Sequence, residues 1–307
     1  MKCFYTIDTI DIDENTAVTV GKFDGLHLGH MELIEKAGEY KKLGLRTVVL
    51  KIEAPGKTLH NSILTTKEEL AILEEAGVDY FVTLPFSEEF RSMSAEDFIR
   101  EILVIRMHAK CVVTGDDFRF GAGRRGDTGL LEKVGAEYGM RTIVCERVLY
   151  GNVRVSSSRI REKLTAGAVD EAAHLLGRPY TIQGEIVHGR ALGRNLGFPT
   201  INIYPEESRF LPLYGVYFTM VWIDDMCYGG MANIGVKPSI SDEEKPVLEV
   251  HLLDVDEDLY GKTAVVDFVS FIRGERKFGS LDELKLQVLS DIDTARKLYC
   301  SGGAIRY

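Results

Sequence analysis

Thr16-Ala17-Val18-Thr19-Val20-Gly21-Lys22-Phe23-Asp24-Gly25-Leu26-His27-Leu28-Gly29-His30-Met31-Glu32-Leu33-Ile34 is the stretch on which the fold turns. Its first five residues are small or β-branched and uncharged, which reads as a strand buried on both faces. Glycines then interrupt the run, and from Met31 apolar residues return at helical spacing. A buried strand that passes through a glycine-rich turn into a helix opens a parallel α/β sheet. The alternation continues outward. Residues 45–52, 79–85, 109–115 and 141–146 read as further buried strands, and 31–44, 65–77, 94–108 and 129–139 as helices. Ser94 is a good N-cap, with Asp97 in the first turn where the helix dipole favours an acid. Right-handed crossovers then put helices on both faces of the sheet, and ligands bind beyond the carboxyl ends of its strands.

After Gly177-Arg178-Pro179 the texture changes. Six strand-like runs (181–189, 199–205, 215–224, 226–235, 248–255 and 262–272) are separated by glycine, proline and acidic turns. Only 281–299, near the end, is strongly helical. This pattern predicts a small six-stranded barrel with a C-terminal helix. The expected domains are 1–180 and 181–307, with no low-complexity linker and no internal repeat.

The chain's 307 residues amount to about two domains at ~100–200 residues each. Hydrophobic residues make up 45%, enough for a sizeable core, and no apolar run approaches the ~18–20 residues of a membrane span. The N-terminal residues have no apolar stretch after Lys2, so no secretory signal is expected. A net charge of −10 is a poor match for general nucleic-acid binding, which neutralises phosphates with basic side chains. The five cysteines are scattered and never form C-x-x-C, which argues against a disulfide framework or a structural zinc site. Cys111 and Cys145 lie in apolar runs and read as core residues. The expectation is a cytoplasmic protein acting on small molecules, with neither nucleic acid nor membrane as partner.

Three stretches carry phosphate chemistry. In the opening turn, His27 and His30 stand three residues apart beside Gly29, at the start of a helix whose unpaired amides suit an anion. Val155-Ser156-Ser157-Ser158-Arg159-Ile160-Arg161 precedes a helical segment. Its serines are either plain N-caps or phosphate donors, with Arg161 one turn in. Gly189, Gly193 and Gly197, at four-residue spacing, precede Thr200-Ile201-Asn202. This is either a solvated hairpin or a phosphate loop beside a hydroxyl and an amide oxygen, both ligands that suit Mg²⁺. Glu249 and His251 alternate on one face of 248–254. Gly121 to Gly126 spells G-x-G-x-x-G, which on its own is a weak dinucleotide signal because it starts well after the preceding strand. Gly261-Lys262-Thr263 lacks the first glycine of a P-loop.

The H-x-G-H element after a first strand resembles the nucleotidyltransferases, and Phe23-Asp24-Gly25-Leu26-His27-Leu28-Gly29-His30 is similar to their flavin-handling branch. The Gly115–Asp127 loop and the Ser157, Ser158, Arg161 segment resemble bacterial FAD synthetases. The run from Gly189 to Asn202, Met231–Gly235, the Glu249 segment and Phe271–Phe278 resemble riboflavin kinases. In fixed order these motifs resemble the bifunctional riboflavin kinase/FAD synthetase family.

The resemblance implies a Rossmann-like nucleotidyltransferase domain followed by a riboflavin kinase barrel. The implied activities are ATP-dependent phosphorylation of riboflavin to FMN and adenylylation of FMN to FAD, with Mg²⁺. The implied nucleotide and phosphate contacts are Gly21, Phe23, Asp24, Gly29, Asp117, Ser157, Ser158, Gly189, Gly193 and Gly197. His27, His30 and Arg161 serve adenylylation, Glu249 is the kinase base, and Thr200 and Asn202 hold the metal. Phe118, Asn233 and Arg273 contact flavin. One departure is visible: where the family carries Pro-His-Pro, this chain reads Lys51-Ile52-Glu53-Ala54-Pro55-Gly56. The alternatives are a kinase with weak or lost adenylyl transfer, a non-enzymatic flavin-binding module, and an NAD(P)-dependent oxidoreductase built on the glycines at 121–126.

Overall fold

Near-continuous burial along the central strands of the first half gives a parallel sheet covered on both faces. The structure is a computed structural model that describes residues 1–53, 61–189, 197–236, 245–255 and 257–301. Strands β1 (Lys2–Phe4), β2 (Thr16–Gly21), β3 (Arg46–Glu53), β4 (Tyr80–Pro85), β5 (Ala109–Gly115) and β6 (Arg141–Cys145) pair in parallel in the order β1-β4-β3-β2-β5-β6. The main intervening helices are α1 (Leu28–Gly38), α2 (Thr66–Glu75), α3 (Phe98–Arg106, wound as a π-helix) and α4 (Thr128–Glu137). Successive strand residues point to opposite faces. Val18, Val20, Val48 and Leu50 therefore pack against Phe98, Ile99 and Ile102 of α3, while Val49 and Phe81 meet Ile34 of α1 and Leu73 of α2. Ser94 accepts the Asp97 amide at 3.0 Å, as its sequence position implies.

This strand order reverses between β2 and β5. The crevice beyond their carboxyl ends is the site that open α/β sheets use for ligands, and it receives the Gly21–His30 turn from one side and the Gly115–Asp127 loop from the other.

Two expectations need correction. β6 was expected to be buried on both faces, yet it is an edge strand with Val144 46% exposed, and Cys145 is only half-buried. Hydrophobic composition signals a strand but does not say whether it has one neighbour or two. The edge strand β1 and the two-residue pair β7 (Leu149–Tyr150) and β8 (Val153–Arg154) were not foreseen, being too short to show a period.

In the second half, β9 (Tyr180–Glu185), β10 (Ile201–Ile203), β11 (Gly215–Ile223), β12 (Met226–Val236), β13 (Pro246–Leu252) and β14 (Thr263–Gly274) form an antiparallel sheet. Its order is β10-β13-β12-β11-β14-β9. The sheet curls into a partly open barrel, because the Val187 amide just after β9 reaches the Asn202 carbonyl on β10 at 2.9 Å. Tyr217, Ala232, Ile234, Leu248 and Val250 fill its interior. On the outer face, Val216, Phe218 and Met231 pack against Ala295 of the terminal helix α7 (Leu281–Cys300), which Ser280 caps.

The chain divides spatially into Met1–Ser157 and Ser158–Tyr307. The change of texture near Tyr180 marks where strands begin, but the division in space comes two helices earlier. All but the first residue of α5 (Ser157–Thr165), and all of α6 (Val169–Leu176), belong to the second unit. The Leu213 amide donates to the Leu164 carbonyl at 2.9 Å, and α6 packs on β9 and β14 with Val169, Ala172, Ala173, Leu175 and Leu176 all buried.

Burying a large apolar side chain is worth ~1.5–3 kcal/mol, so these helices are part of the barrel's stability. A 158–307 fragment should unfold cooperatively by circular dichroism, whereas 181–307 should melt at a clearly lower temperature or not fold. Equal melting temperatures would show that α5 and α6 contribute nothing to the barrel.

Candidate functional sites

The turn after β2 is held in a backbone conformation that few side chains adopt. Phe23, Gly25 and Leu26 have φ of 47°, 84° and 40°. Phe23 and Leu26 are nonetheless 0% exposed, inserted into the cluster formed with Val49 and Phe81. Gly25 suits this position because a side chain would be strained at φ 84° and its Cβ would crowd Ile63 Cδ1 at 3.0 Å. The turn delivers His27 to the N-cap of α1, where its Nδ1 accepts the His30 amide at 3.3 Å.

The two imidazoles stack with centroids 3.7 Å apart and planes 12° from parallel. His30 also leans on Phe23 at 5.1 Å. Gly29 fits against the His27 ring, its missing Cβ 3.4 Å from Cε1, and Gly21 fits against the Phe23 ring in the same way. Asp24 ties the turn to two other segments. Its Oδ1 accepts the Ile63 amide at 3.3 Å, and its carbonyl accepts the Ser157 hydroxyl at 2.7 Å. The structure thus brings Gly21, Phe23, Asp24, His27, Gly29, His30 and Ser157 together at the carboxyl edge of the sheet. Ser158 and Arg161 lie in the second unit, where the Arg161 guanidinium sits over the Phe210 ring at 5.7 Å.

The Gly115–Asp127 loop is pinned rather than open. Phe120 and Gly126 exchange both backbone hydrogen bonds, at 3.1 and 2.9 Å. Gly121 and Gly126 are glycines because Ala95 packs onto both, leaving only 2.6 and 2.9 Å for a Cβ. Asp127 then caps α4, its Oδ1 accepting the Leu130 amide at 2.9 Å. A carboxylate already occupies the helix N-terminus where a dinucleotide's pyrophosphate would sit. The oxidoreductase reading therefore loses its phosphate seat.

In the same loop Phe118 stacks on Phe120 at 5.1 Å, and Asp117 is bonded to Arg154. Burial works against the Asp117 carboxylate, but Arg154 and then Arg147 bring its pKa below the usual aspartate value.

In the barrel, register does what motif spacing could not. Asn202 on β10 is directly opposite Glu249 on β13, and Glu249 is opposite Asn233 on β12. Asn233 is opposite Val216 on β11, which pairs with Arg273 on β14. Directly opposed residues of antiparallel strands share a face, so five strands contribute one row: Asn202, Glu249, Asn233, Val216, Arg273. Glu249 is half-buried within it, and His251, two residues on, reaches the Pro199 carbonyl through Nδ1 at 2.8 Å.

At the Asn202 end a cleft is lined by Gly189, Thr200, Asn202, Leu259 and Tyr260, with His188 stacked on Tyr260 at 3.6 Å. Gly189 leaves its missing Cβ only 2.3 Å from Asn202 Nδ2, so the amide lies on bare backbone. Gly197 adopts φ 93°. Gly193 lies outside the described residues, as do Ala54, Pro55 and Gly56.

At the other end of the row, Arg273 is held by Asp291 of α7. Its Nε lies 3.1 and 3.0 Å from the two carboxylate oxygens and its Nη2 2.6 Å from Oδ2. Asp291 is 3% exposed and also accepts from Gln287 at 2.9 Å. The sequence reading passed over Asp291, although an acid four residues before buried Ala295, on the packed stripe of α7, was a visible signal. Lys51, noted in the sequence only as the start of the departure from Pro-His-Pro, is a charge that breaks the apolar run of β3 and pairs with Glu69.

Family models match two consecutive parts of the chain: FAD synthetase over residues 9–159 and riboflavin kinase over residues 176–299. The bifunctional riboflavin kinase/FMN adenylyltransferase of Escherichia coli (strain K12) is 40% identical over 294 residues, covering 93% of each chain. That of Haemophilus influenzae is 35% identical, covering 94% of this chain and 96% of its own. A crystal structure from Streptococcus pneumoniae, described as a macrolide-efflux protein, superposes with TM-score 0.87 at 31% identity over 96% of this chain and 99% of its own. Among the described residues no helix of this chain is long and apolar enough to cross a membrane. Two family models in series, and relatives matched almost end to end, leave one conclusion: the chain belongs to the bifunctional riboflavin kinase/FMN adenylyltransferase family.

Proposed function

We propose that this chain phosphorylates riboflavin on the outer face of its barrel and adenylylates FMN at the carboxyl edge of its parallel sheet. The observation that carries the reading is the cross-strand row of Asn202, Glu249 and Asn233, which sets a carboxylate between two amides beside a cleft.

Phosphoryl transfer to a primary alcohol benefits from a base, because the hydroxyl is protonated at neutral pH. Glu249 takes that proton. Asn233, next in the row, orients the flavin, and Arg273 marks the far end of the substrate face, fixed there by Asp291. The cleft, with its Tyr260–His188 stack, accepts the nucleotide, and Gly189 and Gly197 admit its phosphates. Thr200 and Asn202 offer oxygen ligands, the donors Mg²⁺ prefers, and the close fit of Asn202 on Gly189 keeps that amide in place. Bound there with ATP, Mg²⁺ would neutralise charge on the phosphoryl oxygens.

Adenylylation needs no base, since a phosphomonoester with a second pKa of about 6 is already anionic. It needs donors at the α-phosphate and the leaving pyrophosphate. His27, His30, the first amides of α1 and Ser157 provide them, with Gly21 and Gly29 allowing close approach. Phe23 and Asp24 hold the turn. Ser158 and Arg161 are assigned to the same chemistry by their resemblance to the family pattern, and Asp117 and Phe118 to the nucleotide and flavin. Adenylylation is assigned to residues 1–180 and phosphorylation to 181–307. The working compartment is the cytoplasm, which keeps cysteines reduced.

Incubation with riboflavin, ATP and Mg²⁺, followed by separation of products, should yield FMN and then FAD. Glu249→Gln keeps size and polarity but removes basicity, so FMN formation should fall by ~10²–10⁴ while FAD formation from supplied FMN stays near normal. An undiminished kinase rate removes Glu249 from the mechanism.

His30→Ala should do the reverse. Losing a donor at the phosphoryl centre costs ~3–4 kcal/mol, a loss of order 10²–10³ in adenylylation with the kinase intact. Full-rate FAD synthesis in that variant rejects the role given to the imidazole pair.

A further inference from the structure

Lys51 stands at the carboxyl end of β3, in register between Gly21 on β2 and Thr83 on β4. It follows Val48, Val49 and Leu50, all 0% exposed, and its side chain is itself only 20% exposed. Its ammonium donates to both carboxylate oxygens of Glu69 on α2, at 2.7 and 2.6 Å, and the Glu69 side chain is 6% exposed. Burial pushes the Glu69 carboxyl up and Lys51 draws it back down. Asp24 and Glu53 are both near enough to push it up again. The pair therefore sits in the same corner as the Gly21–Asp24 segment.

A buried ion pair is a poor choice for filling space, because apolar residues of the same volume commonly stabilise as well or better. An ammonium also has three N–H donors. Two go to Glu69, and among the described residues the third has no partner. The groups assigned to phosphate in the first unit lack what Lys51 has. Ser157 and the backbone amides carry no charge, the imidazoles carry no fixed charge, Asp24 carries the wrong one, and Lys22 is exposed.

We propose that Lys51 is a nucleotide-phosphate ligand of the adenylylation site, held by Glu69 and donating its remaining N–H to an oxygen of the ATP triphosphate. This rests on the adenylylation reading. In the step it serves, an FMN phosphate oxygen bonds to the α-phosphorus, and the bond from that phosphorus to the bridging oxygen of pyrophosphate breaks. Pyrophosphate leaves with the electron pair, and Lys51 transfers no proton.

The test uses the full-length chain and the Lys51→Met/Glu69→Leu variant, which replaces the ion pair by an apolar pair of similar size. A space-filling role would be rescued by that swap; a phosphate contact would not. kcat/KM for ATP in FAD synthesis from FMN should fall ~10–100-fold, as expected for one charge-assisted hydrogen bond. Melting temperature and riboflavin phosphorylation should stay near wild type. Lys51→Arg, which keeps the charge but moves the donors, should raise the KM for ATP at least ~3-fold with the kinase unaffected, and it decides the matter if the apolar variant does not fold. Wild-type kcat/KM in a folded apolar variant, or an unchanged KM in Lys51→Arg, overturns the role of Lys51 and leaves the adenylylation reading standing. A wild-type chain that makes no FAD from FMN overturns both.

Discussion

The turn between β2 and α1 depends on buried hydrophobic surface holding a backbone that would otherwise relax. A left-handed non-glycine residue costs ~1–2 kcal/mol, and this turn has two, Phe23 and Leu26. Complete burial of a phenylalanine or leucine returns ~1.5–3 kcal/mol each. The two terms nearly balance with burial ahead, so the conformation stands as long as both side chains stay in the core. The direction of α1, the His27 cap and the stacking of the imidazoles all follow from that balance. Asp24 extends the same constraint to Ile63 and to the first residue of α5. Substitutions at Leu26 would therefore act on the histidines through the turn, and those at Phe23 both through the turn and through its ring contact with His30.

On the proposed function the two units meet phosphate by different physical means. In the parallel unit the anion-binding elements are ends: strand ends, a helix N-terminus and a glycine-rich turn, where backbone amides point out of the secondary structure. In the barrel they are faces. A row of opposed residues crosses five strands, and each side chain is placed by its neighbour's register. The chemistry matches this difference. An already anionic nucleophile needs a concentrated field of donors, which an edge supplies. A neutral alcohol needs one base in a defined position, which a hydrogen-bonded sheet holds more rigidly than a loop.

Each unit has a buried ion pair among its described residues: Lys51 with Glu69 in the first, and Arg273 with Asp291 in the second. Both join a strand to a packed helix. Breaking such a pair leaves an uncompensated buried charge, which is far more disruptive than losing a surface bridge. Each helix is thereby locked in rotation and translation against its strand.

Much of this was written into local sequence. The change from helical to strand periodicity separates two architectures, and the first strand, its glycine turn and His27–His30 are adjacent in the chain. The alternation that puts Glu249 and His251 on one face is also local, because strand geometry repeats every two residues whatever surrounds it. What the chain could not show was who sits beside whom. β6 was read as buried on both faces and lies half-exposed at an edge. The α5 and α6 helices were grouped with the first half and pack with the second. Asn202, Glu249 and Asn233, up to 47 positions apart in the chain, become neighbours only through strand pairing. The partner of Lys51, Glu69, comes from another element and is not legible beside it in the chain. Periodicity is a property of a segment and can be read from it. Register, edges and buried charge pairs are properties of contacts between distant segments, and only the folded chain decides them.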